Sequence, residues 1–268
     1  MSARAVPPLR VALGEYDIGW HDPESSLRAA RELVARAARA GARLVVLPEM
    51  TTTGFTMDLS QATPLDGGHA ARLAAVAAEH GVWIIASVAA TEARAAAAQA
   101  VNAALVVDPH GETQAIYRKQ KLFAYGGEHQ HYHPGDECVV VSIEGVRVGV
   151  FICYDLRFPE LFRALAREVD AFVLVANWPT TRRAHWDTLT RARAIETQAY
   201  MVAVNRTGRG GKLEYDGGSV AFDPWGDRLP ERRASPGDPA IVEIDPARVA
   251  EVRGAFPFLE DMGTPQRA

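Results

Sequence analysis

Apolar positions along the chain follow two periods that take turns, one of about two residues and one of about 3.6. Leu9 to Leu13 reads as a short strand stopped by Gly14. Asp22-Pro23-Glu24 then supplies an N-cap, a proline for the first helical position and an acid in the first turn. Leu27, Ala30, Leu33, Val34, Ala37 and Ala38 recur at helical spacing until Gly41. Leu44-Val45-Val46-Leu47 reads as a fully buried strand that ends at Pro48-Glu49. His69 to His80 reads as a helix capped by Gly81, and Val82 to Val88 as the next strand. The Ala-rich stretch from Thr91 to Gln99 reads as a surface connection. Ala103 to Val107 and Thr113 to Tyr117 pair as a hairpin around Asp108-Pro109-His110-Gly111.

Gln120 to Gly135 is long, polar and glycine-bearing, which suggests a functional loop. Val139 to Ile143 and Val146 to Ile152 form a second hairpin around Glu144-Gly145. Helix Glu160 to Arg167, strand Ala171 to Ala176, a helix from about His185 to Thr197 and strand Met201 to Val204 follow. Strand Ser219 to Phe222 turns at Asp223-Pro224-Trp225-Gly226, and Ala240 to Ile244 is the last core strand, with a helical turn after Pro246. Alternating helices and strands predict an α/β fold. Asp108-Pro109-His110-Gly111-Glu112 and Asp223-Pro224-Trp225-Gly226-Asp227 each follow a hydrophobic strand, so the halves echo one another. Two related half-sheets, packed together with helices outside, explain that echo.

No linker-like break divides the chain, so residues 1–268 read as one domain. A net charge of −4 with no Lys/Arg block argues against nucleic acid or an anionic membrane as partner. The two cysteines, Cys138 and Cys153, have no framework spacing, which fits a reduced, cytoplasmic protein. Met1 to Arg10 lacks the apolar core of an export signal, and no apolar run reaches the ~18 residues of a membrane span.

Candidate chemistry clusters at strand ends. The run Val148 to Ile152 stops at Cys153, and Pro159 opens the next helix, so Cys153 sits at a sharp strand-to-helix turn. On its own, such a cysteine is more often a small buried hydrophobe. Glu49 ends one buried strand and Lys119 ends another; alone they read as a cap and a solvated lysine. If the three ends converge, the ammonium lowers the thiol pKa, the carboxylate takes its proton, and the same ammonium stabilises an oxyanion. His129, His131 and His133 would share one face of a strand and bind a metal, but they lie in a Gly/Pro-bounded loop. A Cys153, His185, Asn205 protease arrangement lacks its surrounding motif, and helix capping suffices for His185.

Leu47-Pro48-Glu49-Met50, Tyr117-Arg118-Lys119-Gln120-Lys121-Leu122-Phe123 and Ile152-Cys153-Tyr154-Asp155-Leu156-Arg157-Phe158-Pro159-Glu160 resemble the Glu-Lys-Cys triad motifs of the nitrilase superfamily of carbon–nitrogen hydrolases. The resemblance runs from Leu9 to about Pro257. Gly127-Glu128 with Pro134-Gly135 matches as well, which makes Glu128 the family's second active-site glutamate. It implies a four-layer αββα sandwich, homodimers, and amide or nitrile hydrolysis without metal or organic cofactor. It also implies that Lys119 and the Tyr154 backbone N–H hold the oxyanion.

Thr53-Gly54-Phe55, His131-Tyr132, Ala176-Asn177-Trp178-Pro179, Arg182, His185-Trp186 and Arg193 to Tyr200 resemble the bacterial omega-amidase branch. That branch implies small amide substrates such as 2-oxoglutaramate and 2-oxosuccinamate, in methionine-salvage transamination. Arg182 is then the candidate for the substrate carboxylate, with Arg183 its rival on charge, and Phe55 and Trp178 as pocket walls. Arg157 and Glu160 read as a structural ion pair holding the elbow. Deaminated glutathione, carbamoyl compounds and nitriles remain alternative substrates, and a silent scaffold is the alternative of another class. An activated Cys153 is expected to outpace Cys138 in labelling by an electrophile.

Overall fold

The computed structural model describes residues 6–94 and 97–263. In chain order the strands are β1 (Leu9–Leu13), β2 (Leu44–Val46), β3 (Thr63–Pro64), β4 (Trp83–Arg94), β5 (Ala97–Val107), β6 (Thr113–Arg118), β7 (Val140–Ile143), β8 (Val146–Ile152), β9 (Ala171–Ala176), β10 (Tyr200–Asn205), β11 (Thr207–Gly210), β12 (Leu213–Asp216), β13 (Val220–Phe222) and β14 (Ala240–Ile244). The α-helices are α1 (Pro23–Arg39), α2 (Gly68–His80), α3 (Pro159–Leu165), α4 (Arg183–Thr197) and α5 (Pro246–Ala255).

Among the described residues, two larger sheets form. One runs β14-β1-β2-β4-β5-β6 with β3 beside β4; the other runs β13-β10-β9-β8-β7. Each has three parallel strands at its centre, β1-β2-β4 and β8-β9-β10, with antiparallel neighbours. Period-two alternation decides the layers. Leu9, Val11 and Leu13 point into the core shared with β8, β9 and β10, whereas Ala12 points the other way, into the core under α1 and α2. On the far side, Phe162 of α3 and Trp186 and Ala194 of α4 cover the second sheet. The result is the αββα sandwich. Strand β9 is buried at all six positions, as a central parallel strand covered on both faces requires.

The echo between the halves is present atom for atom in two turns. Asp108 Oδ1 accepts from the backbone N–H groups of His110 and Glu112 at 2.8 and 3.0 Å. Asp223 Oδ1 accepts from those of Trp225 and Asp227, both at 2.9 Å. Helix α1 starts as read: Pro23 is at its first turn and the Asp22 side chain accepts from Ser25 N–H at 3.0 Å.

One reading changes and one element is new. Thr91 to Gln99 is not a surface connection: β4 and β5 extend as one long hairpin with Arg94 opposite Ala97, and residues 95–96 lie outside the described residues. Alanine side chains are small enough for a strand as well as a helix, so the continuing ladder decides. The hairpin β11–β12 was not anticipated; Thr207-Gly208-Arg209-Gly210 has too little apolar content to show a period.

Candidate active site

Glu49, Lys119 and Cys153 stand just past the C-terminal ends of β2, β6 and β8, so the two packed sheets bring all three to the same edge. The reading that these strand ends converge is correct in its geometry. Lys119 Nζ donates to Glu49 Oε1 at 2.8 Å and to Glu128 Oε1 and Oε2 at 3.0 and 2.9 Å. All three side chains are fully buried. A buried ion cluster is tolerated only when its remaining lone pairs are also satisfied, and here they are. Asn102 Nδ2 donates to Glu49 Oε1 at 2.8 Å and to Glu128 Oε1 at 3.1 Å. Asn177 N–H donates to Glu49 Oε2 at 2.9 Å, and Phe123 N–H to Glu128 Oε2 at 2.6 Å.

The nucleophile candidate and the glutamate share a backbone device. Cys153 has φ +45° and Met50, directly after Glu49, φ +42°. Left-handed backbone at non-glycine residues costs roughly 1–3 kcal/mol and concentrates at functional sites. At Cys153 it turns the chain out of β8 into a short 3₁₀ turn, Cys153–Arg157.

Glu49, Lys119 and Cys153 floor a pocket. Phe55, Phe123, Tyr154, Trp178 and Tyr215 wall it, with Arg157 and Arg182 reaching in from the side. The Arg182 guanidinium lies 5.3 Å from the Phe123 ring centre. The Arg157 guanidinium lies 4.8 Å from the Trp178 ring. Among the described residues, neither arginine forms an ion pair with a carboxylate.

The sequence profile of the carbon-nitrogen hydrolase family matches residues 10–254. An omega-amidase YafV from Escherichia coli is 35% identical over 259 residues, 96% of this chain and 97% of that protein. A 2-oxoglutaramate amidase from Bacillus subtilis is 33% identical over 251 residues, 92% of this chain and 95% of that protein. The crystal structure of XC1258 from Xanthomonas campestris, a CN-hydrolase superfamily protein with an arsenic adduct in its active site, is similar at TM-score 0.86 and 35% identity, over 95% of this chain and 97% of that one. The chain belongs to the carbon–nitrogen hydrolase family. The resemblance to the nitrilase superfamily and its fold is borne out.

In this carbon–nitrogen hydrolase the electrostatics differ from expectation at the thiol. Burial and the neighbouring Glu49 push the Cys153 thiol well above the usual range, and Lys119 only partly offsets them. Burial pulls the Lys119 pKa down, but Glu128 and Glu49 outweigh it and hold the ammonium above its ordinary pKa. Cys153 therefore rests as a protonated thiol with a carboxylate beside it. Lys119 lowers the thiol pKa in the direction expected, but burial and Glu49 outweigh it, because a buried anion next to a carboxylate is costlier than one ammonium repays.

The labelling expectation changes with it. With N-ethylmaleimide at pH 7.5 the exposed Cys138 reacts first, because the thiolate is the reacting species. The Cys153 rate keeps climbing above the pH of about 8.5 at which an ordinary thiol is half ionised. Mass spectrometry of the intact protein follows both; a Cys153 rate already level by pH 8.5 would contradict this.

Other residues move. Arg157 and Glu160 do not pair: Arg157 Nη2 donates to His185 Nδ1 at 3.1 Å, and Glu160 meets Lys121 at 3.6 Å. Arg157 precedes the helix that carries Glu160, so the two do not share a helical face. His185 accordingly serves Arg157 rather than capping α4. Arg183, the rival to Arg182, turns away to Asp187 and Asp216, both at 3.0 Å. His129, His131 and His133 sit in and after a 3₁₀ turn, not a strand, and among the described residues no His/Cys/Asp/Glu group is placed to hold a metal ion. No described helix is long and apolar enough to cross a membrane. Tyr154 follows Cys153 and lines the pocket.

Asn102, Asn177 and Tyr215 were not singled out for the site. A signal existed for Asn102, a lone polar residue inside the apolar run Val101 to Val107. Its carbonyl oxygen accepts from Ser87 Oγ at 3.0 Å, which orients its amide toward both glutamates.

Proposed function

We propose that this carbon–nitrogen hydrolase, acting as a single catalytic domain, is a cysteine-dependent omega-amidase that converts 2-oxo dicarboxylic acid monoamides such as 2-oxoglutaramate or 2-oxosuccinamate to the acid and ammonia. The observation that carries the reading is the pair of guanidiniums, Arg157 and Arg182, on the wall of a pocket whose floor is a thiol, a glutamate and a lysine. A carboxylate at the far end of the substrate suits these cations, with a bidentate contact to Arg182. Lys119, Asn102, Asn177 and Phe123 engage the glutamates, and the capacity left on Glu49 Oε2 serves the Cys153 proton. An α-ammonium, as in glutamine, would face two arginines with no spare carboxylate among the described pocket residues. The names of the Escherichia coli and Bacillus subtilis relatives support the same substrate class.

The geometry supports this course. Glu49 accepts the Cys153 proton as sulfur bonds to the amide carbon. The carbonyl electron pair moves to oxygen, held by the Lys119 ammonium and the Tyr154 backbone N–H. Each such donor is worth about 3 kcal/mol in comparable sites. The tetrahedral adduct collapses, the C–N bond breaks, and Glu49 returns the proton to the departing ammonia, leaving a thioester. Water then attacks, losing a proton to Glu49, and as the carbon–sulfur bond breaks Glu49 passes that proton to sulfur, which releases the acid and restores the thiol. Glu128 fixes Lys119 with both oxygens throughout.

The reading includes a cytoplasmic homodimer. Free Cys138 and Cys153 suit a reducing compartment, and the exposed Trp225 and Phe256, in ring contact at 6.2 Å, suit a pairing face.

Arg182→Ala tests the carboxylate contact. Losing a hydrogen bond between charged groups, worth about 1.5–3 kcal/mol, raises KM for 2-oxoglutaramate roughly 10- to 150-fold. KM for a simple aliphatic amide stays near the parent value. An equal rise for both substrates would refute the role.

A further inference from the structure

One buried carboxylate near the site takes no part in the steps above. Asp155 is fully buried. Its Oδ2 accepts from the Tyr117 hydroxyl at 2.8 Å and from Ile152 N–H at 2.9 Å. Its Oδ1 accepts from Lys121 N–H at 2.9 Å. No described cation forms an ion pair with it. Burial pushes its pKa up to about 6 despite these hydrogen bonds and nearby Lys119. The folded protein thus holds this carboxylate in its disfavoured ionised form at neutral pH, at a cost in stability. Packing alone does not explain such a residue.

The donors explain it. Ile152 directly precedes Cys153 and ends β8, in the five-stranded sheet. Tyr117 and Lys121 flank Lys119 by two residues on either side, at the end of β6 in the other sheet. The Tyr117 ring is itself fixed edge-on against Phe151 at 5.4 Å. One carboxylate therefore fastens the nucleophile's strand end to the lysine's strand end, across the seam between the sheets.

We propose that Asp155 is a positioning residue that keeps the Cys153 sulfur in register with the Lys119 ammonium across the two sheets. This rests on the roles assigned to Cys153 and Lys119 above. The chemistry demands a carboxylate. Three donors converge on two oxygens, and an amide in the same place must turn its NH₂ toward either Lys121 N–H or Ile152 N–H. One of the two backbone ties is then lost, while the Tyr117 hydroxyl can rotate to accept.

Asp155→Asn tests the proposal, with Tyr117→Phe as the milder companion that removes one tie and leaves both backbone contacts. Misplacement by about 1 Å can cost roughly 100-fold in rate, so kcat per active site falls about 100-fold in Asp155→Asn and about tenfold in Tyr117→Phe. KM changes less than about threefold, because neither residue lines the pocket. Active sites are counted by stoichiometric labelling of Cys153. Alkylation of Cys153 by iodoacetamide also slows in Asp155→Asn, with Cys138 as the internal control. That second readout needs no amide hydrolysis. If the parent enzyme released no ammonia, the functional reading would fail while the alkylation comparison still judged Asp155. A folded Asp155→Asn protein with kcat per site and alkylation rate within about twofold of the parent overturns the proposal. So does a loss that appears only as fewer labelled sites, the mark of a merely structural residue. If Asp155→Asn does not fold, Tyr117→Phe decides, and an unchanged kcat overturns the proposal.

Discussion

Replacing Cys153 with alanine is expected to abolish ammonia release while leaving the protein folded. Removing the nucleophile of a hydrolase whose catalytic groups act as a unit costs about 10⁶-fold in kcat. Stability should change by less than about 1 kcal/mol, since the substitution creates none of the defects that produce large losses. The sulfur makes a long contact, 3.9 Å to the Asn177 carbonyl, and has Glu49 beside it as its acceptor. Among the described residues it holds no ion pair, and alanine fits the φ of +45° at this position no worse than cysteine does. Coincident thermal melts with no detectable turnover are the predicted result. Appreciable residual activity would remove Cys153 from the mechanism.

Lys119→Ala is expected to lose both activity and stability, and the contrast with Cys153→Ala is informative. Without the ammonium, Glu49 and Glu128 remain buried with no described cation bonded to either. Breaking a buried ion pair by deleting one partner costs about 3–5 kcal/mol. For a chain of this size that lowers Tm by on the order of 10 °C. Both deletions silence the enzyme, then, but only one should move the melt by that much. A Lys119→Ala protein that melts with the parent would mean that the two glutamates are not held as charged groups by this lysine.

Much of this site was legible because its residues sit where continuous apolar runs end. Leu44-Val45-Val46-Leu47 stops at Pro48-Glu49 and Val148 to Ile152 stops at Cys153, so the strand ends and their polar termini are visible together. Strands Leu9–Leu13, Ala171–Ala176 and Ala240–Ile244 lie where the pattern puts them. The long β4–β5 hairpin was hidden by alanine, which shows no preference between periods. The β11–β12 hairpin, which brings Leu213 and Tyr215 to the pocket, was hidden by glycine.

Charge states were the least legible. The balance at Cys153 depends on how deeply the thiol is buried and on which of Glu49 and Lys119 weighs more, and neither is a property of the local sequence. Arg157 and Glu160 are three residues apart, the spacing of a helical ion pair. Pro159 starts the helix between them, and Arg157 is left on the pocket side.

The central claim is a thiol hydrolase selective for amides of 2-oxo acids. Its most direct test is ammonia release by the purified enzyme from 2-oxoglutaramate, glutamine, a simple aliphatic amide and a nitrile, compared at equal concentration. The structure predicts strong preference for 2-oxoglutaramate, with glutamine well behind because its α-ammonium faces Arg157 and Arg182. Equal rates on glutamine and 2-oxoglutaramate, or ammonia from none of the four, would contradict that claim.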